Sequence, residues 1–187
     1  MKKLFLMLIL AVLVLSCANA QQTASHPAAV EISFTFTRQL GSASNQYAVW
    51  IENAQGQLVK TLYATRWTAN GGYRTRPTSI PLWVRLSNLA NMTRSQIDAV
   101  SSATPRTSSV TYTWDGTNTQ GALVTSGDYV IVLEGTLRWE NQVYYRAPIR
   151  LGQGAASPQV SVEYTTGDRD TTAERSMISD VRVRVLR

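Results

Sequence analysis

The sequence predicts an all-β fold, a two-layer β-sandwich with one short helix. Three observations predict it. Short runs of alternating apolar and polar residues recur along the chain. Turn residues (Gly, Asn, Asp, Pro) separate these runs at short intervals. After the first twenty residues the chain has no cysteine, so packing rather than disulfides must hold it together.

The amino terminus reads as an address. Lys2 and Lys3 precede an unbroken apolar run from Leu4 to Leu15, and Ala18-Asn19-Ala20 offers a small-x-small cleavage site. Residues 1–20 are therefore expected to be a signal peptide that sends the protein to the periplasm. Val14-Leu15-Ser16-Cys17 is a loose lipobox, so lipidation of Cys17 is the competing expectation; only then would the protein be tied to a membrane. Cleavage after Ala20 leaves 167 residues, enough for one domain with a real core. The remaining sixteen basic and twelve acidic residues give a net charge of +4, scattered without a dense run. That balance and the absence of a binding motif argue against a nucleic-acid role.

Residues 21–27 read as a flexible arm and 28–187 as a single β-sandwich domain. Val30, Ile32, Phe34 and Phe36 alternate with polar residues, the period of a half-buried strand. Gln46 to Asn53 and Leu58 to Thr65 form a hairpin around Ala54-Gln55-Gly56-Gln57. Residues 66–85, with Trp67, Tyr73, Trp83 and four arginines, read as a long irregular loop over the core. Leu86, Leu89, Ala90, Thr93 and Ile97 recur at helical spacing, and Ser87 is the expected cap. Strands then follow at 109–114, 128–139 and 143–151, around Val160, Val162 and Tyr164, and around Val181, Val183 and Val185. The alternating Arg182 and Arg184 read as the solvated face of an edge strand.

The chemistry that is missing narrows the function. His26 is the only histidine and falls in the expected arm, so no Ser-His-Asp triad or histidine metal site is foreseen. No glycine-rich phosphate loop precedes a helix. A glycosidase would need two acids facing one cleft, and the closest pair, Asp168 and Asp170, reads as a solvated loop.

Two motifs stand out. Trp114-Asp115-Gly116, followed by Gly121, Val124, Gly127 and Tyr129, resembles a pattern of the immunoglobulin-like module of the flagellar hook-capping protein and of other exported sandwiches. It implies an immunoglobulin-like β-sandwich and is a fold signature. Asp98-Ala99-Val100-Ser101-Ser102-Ala103-Thr104 resembles the D-g-x-[S/T]-g-A-T motif at which a flavin transferase links FMN to the final threonine. Asp98, Ser101, Ala103 and Thr104 match; Ala99 and Ser102 replace the glycine-type positions, and Ser102 is the larger departure. The polar segment read without the motif is simply a helix-to-strand connection.

The two motifs, the Tyr47–Asn53 hairpin to Leu62 and the Trp83 region together resemble the predicted periplasmic family known as domain of unknown function 2271. The resemblance implies an association with extracytosolic flavin electron transfer, with a flavin transferase and a PepSY-type membrane redox protein as partners. It offers Thr104 as an FMN attachment site and no catalytic residue. Trp83 or Trp67 would be available to stack on the flavin ring, and Arg106 to neutralise its phosphate. The alternative is a non-enzymatic binding module of the periplasm that uses the aromatic 66–85 segment.

Overall fold

The computed structural model describes residues 30–41, 44–167 and 172–186. The expected leader with Cys17, the arm with His26, and Asp168 and Asp170 lie outside the described residues. Among the described residues nine strands run in chain order: β1 Val30–Phe36, β2 Gln46–Asn53, β3 Leu58–Thr65, β4 Ser101–Ser102, β5 Ser108–Trp114, β6 Gly127–Arg138, β7 Asn141–Leu151, β8 Ser161–Thr165 and β9 Ile178–Val185. They form a three-stranded sheet, β5-β1-β9, and a six-stranded sheet, β4-β3-β2-β6-β7-β8. Every pairing is antiparallel except the short parallel one of β3 with β4.

One core lies between the two sheets. Val30, Ile32, Phe34 and Phe36 point inward from β1, as their spacing predicts, and meet Tyr47, Val49, Ile51, Ile131 and Leu133 of the larger sheet. Trp114 closes one end of this core. Its indole Nε1 donates to the Thr117 carbonyl at 2.7 Å, and Tyr129 meets its ring edge-on at 5.2 Å. Gly116 takes φ +74, a turn conformation that a side chain would disfavour. Arg182 and Arg184 do sit on an edge strand, and Arg184 pairs with Glu31 across β1 at 2.9 Å.

A second core covers the other face of the larger sheet. Ala48, Trp50 and Val132 there pack against Ala69, Ile80, Trp83 and Leu89. Those four come from the segment expected to be an irregular loop and one helix. It is instead a layer of short helices: a wide turn at Thr68–Gly72, α1 at Tyr73–Thr75, α2 at Pro81–Leu86, a tight turn at Leu89–Asn91, and α3 at Arg94–Val100. The single continuous helix is thus corrected to two separate pieces. Ser87 ends α2 rather than starting a helix. Thr93 starts α3, through a reciprocal cap in which Thr93 Oγ1 accepts from Gln96 N and Gln96 Oε1 from Thr93 N.

The entry to α2 is unusual. Ile80, wholly buried, takes a left-handed φ of +41, which costs a branched residue about 1–3 kcal/mol. Contacts from the sheet hold it there. Ile80 N donates to Thr136 Oγ1 at 2.8 Å, and Pro81 supplies the φ that the first helical residue needs.

Candidate functional site

The Asp98–Thr104 motif runs from α3 through β4 into the open connection to β5. Asp98 lies exposed on α3 and pairs with Arg94 at 3.3 Å, one helical turn away. Ser101 pairs with Ala64 in the parallel register and points inward; its hydroxyl is buried without a hydrogen-bond partner. Ala103 is exposed, and its carbonyl accepts from the Tyr63 hydroxyl at 3.2 Å. Thr104 is half-buried in the connection, outside both cores. The motif therefore does not converge on one point. Asp98 is committed to Arg94 and Ser101 faces inward, while Thr104 is half-buried beyond β4.

The floor beneath this connection is aromatic. Tyr63 stacks on Tyr47 at 4.7 Å and on Tyr112 at 5.0 Å, and the Tyr47 and Tyr112 hydroxyls lie 2.8 Å apart. Burial pushes all three phenols above their ordinary pKa, so they remain neutral. Three arginines flank the connection. Arg38 donates from its guanidinium to the Pro105 carbonyl at 3.4 Å and from its backbone to Thr107 Oγ1 at 3.0 Å. Arg66 follows Thr65, which lies opposite Ser102, and Arg106 is in the connection itself. None of the three has a carboxylate partner among the described residues. The connection that carries Thr104 thus has three arginines on it or on the segments beside it. Of the two tryptophans offered as flavin-stacking residues, Trp83 is wholly buried and bonds Thr61 Oγ1 through Nε1, so it is removed from consideration. Trp67 is 46 % exposed.

Sequence reasoning missed a second polar cluster, on the outer face of the larger sheet. Glu134 is fully buried on β6, and its carboxylate accepts from Leu82 N at 3.0 Å and Trp83 N at 2.8 Å at the start of α2. Desolvation raises its pKa to about 7, against the opposing pull of those two amides, Tyr144 and Arg146. Glu52, also buried, accepts from Trp50 Nε1 at 2.8 Å and lies 3.6 Å from Arg146. The signal was an acid set inside an apolar strand, as in Val130-Ile131-Val132-Leu133-Glu134. Both oxygens of Glu134 are engaged inside the fold, so the pair does not present two acids to one cleft. Among the described residues no group of three acidic, histidine or cysteine side chains is placed to hold a metal.

The molecule is thus a mostly β protein of two sheets, with a helical layer over the larger one. Residues 28–168 match the family model described as predicted periplasmic protein (DUF2271), and the chain belongs to that family. No curated protein and no solved structure matches it.

Proposed function

We propose that the chain is an exported envelope protein of extracytosolic flavin electron transfer, carrying FMN on Thr104. The observation that carries this reading is the half-buried placement of Thr104 in a connection outside the strands and helices, next to Ala103 and with Arg38, Arg66 and Arg106 on it or on the segments beside it. The Thr104 hydroxyl would displace AMP from a flavin dinucleotide, losing its proton and forming a phosphoester. Arg38, Arg66 and Arg106 would neutralise the phosphate. The bound flavin would accept and release electrons, with this chain positioning it. Its partners would be a flavin transferase and a PepSY-type membrane protein. An amino-terminal signal peptide cleaved after Ala20 would deliver it, with lipidation at Cys17 as the other route. An immunoglobulin-like arrangement of the strands belongs to the same reading. Its support is the Tyr129 hydroxyl bonding back to the Thr125 carbonyl at 2.8 Å, as at a tyrosine corner.

The second reading is a non-enzymatic binding module, favoured by the exposed Trp67 on the helical layer. Intact mass of the exported protein, co-expressed with an active flavin transferase, separates the two. The carrier reading expects an added FMN that disappears in Thr104→Ala. An unmodified mass, with a control substrate modified in the same cells, leaves the binding module.

A further inference from the structure

Among the described residues Arg76 has no counter-ion. It lies half-buried between α1 and α2, and its Nε is buried with no hydrogen-bond partner. Its guanidinium donates once, from Nη2 to Ser79 Oγ at 3.3 Å, and stacks over the Trp67 ring at 4.8 Å. The ion pairs of the described residues engage Lys60, Arg94, Arg138, Arg146, Arg150 and Arg184, and leave Arg76 out. An arginine taken partly from water normally recovers its lost hydration from a carboxylate or several carbonyls. A stacked ring and one long hydroxyl contact recover little of it.

The surroundings are built rather than accidental. Ser79 and Thr68 are both wholly buried, and their hydroxyls lie 2.6 Å apart. Thr68 Oγ1 donates in turn to Gln46 Oε1 at 3.0 Å, anchoring the pair to β2. Gly72 lies so close to the Trp67 ring that an added Cβ would fall 2.5 Å from it, which fixes the indole against the backbone. The free hydrogens of the guanidinium thus lie beside a rigid, half-exposed indole.

We propose that Arg76, held in place by Ser79 and Trp67, binds an oxyanion group, a phosphate or a carboxylate. A planar guanidinium meets either group through two parallel hydrogen bonds, which a lysine cannot reproduce. Trp67 supplies the apolar wall and holds the guanidinium in place. The site is independent of Thr104 and needs no flavin.

The test uses the protein without flavin, titrated with inorganic phosphate or with succinate at constant ionic strength set by chloride. Tryptophan fluorescence and thermal midpoint are read together. The expected result is a saturable fluorescence change and a raised midpoint with at least one of the two anions. A response to phosphate alone assigns a phosphate ligand, and a response to succinate assigns a carboxylate. Arg76→Met should abolish the response. Arg76→Lys, which keeps the charge, should weaken binding by about tenfold through loss of the fork. Should Arg76→Met fail to fold, Ser79→Ala, which removes the hydroxyl that holds the guanidinium, should weaken the response. Anion effects no larger than those of chloride, or effects that persist in the Arg76 variants, would overturn the site and leave the cation–π contact as the whole role of Arg76.

Discussion

Replacing Glu134 by glutamine removes a charge from the middle of the fold while nearly keeping its shape. The native carboxyl titrates near 7, against an ordinary value of 4.5, because burial penalises its ionised form. That gap, at 1.36 kcal/mol per pH unit, amounts to about 3 kcal/mol. The sign follows from proton uptake. Between the two values the native state holds a proton that the unfolded chain has lost, so stability falls as pH rises from 4.5 towards 7. Above about pH 7 the wild-type protein carries the full penalty. Glu134→Gln cannot titrate, but its amide nitrogen cannot accept from one of the two backbone N–H groups, at a cost of about 1–3 kcal/mol. At about pH 5 the variant should therefore be less stable than wild type, and by about pH 8 the difference should close or reverse. Urea denaturation at a series of pH values measures it. Burial pushes the neighbouring Tyr144 phenol further above its ordinary value, so it stays neutral over this range and leaves the comparison clean. A stability difference that stays constant with pH would refute the reasoning.

Other perturbations are simpler. Gly135→Ala places a Cβ 2.6 Å from Ile178 Cδ1 and 3.1 Å from Val143 Cγ1, so overpacking should cost about 1–3 kcal/mol by chemical denaturation. Thr93→Ala removes the cap of α3 and should cost about 1 kcal/mol, visible as faster amide exchange in residues 94–100. At Asp115 burial opposes ionisation, but hydrogen bonds from Lys60 and Thr117 outweigh it and hold the carboxyl down to about 2. Its contribution is present above the unfolded value of 3.8 and is lost as pH falls towards 2. Because the pair is largely exposed, Asp115→Asn at neutral pH should cost only about 0.5–1 kcal/mol.

The strands were legible because their information is local. β1 carries its inward face in four residues, and the β2–β3 hairpin announces its own turn. Trp114 ends β5 inside the core, Gly127 opens β6 and Tyr129 packs on Trp114, all within sixteen residues of sequence. The helical layer was not legible, because what fixes it is distant in sequence. α2 begins where it does because Glu134 and Thr136 receive its first amides from a strand more than fifty residues later. No local rule favours a left-handed isoleucine. Ser87 and Thr93 are both plausible caps by residue type; only Thr93 is followed by a glutamine at the right place. The candidate site divides in the same way. The motif identified Thr104, but the tyrosine floor under it is assembled from β2, β3 and β5, and β4 exists only through parallel pairing with a strand far earlier. Arg76 had no sequence signature, since a missing counter-ion can be seen only after folding.

The two cores on opposite faces of the larger sheet have a consequence for how the chain tolerates change. From Gln46 to Glu52 every residue of β2 is buried, whereas β1 alternates strictly. A saturation scan should therefore show a period of two along β1 and no period along β2, where either parity damages one core or the other. The same scan should find the least tolerance at the centre of the large sheet and the most in β8, whose residues are mostly exposed.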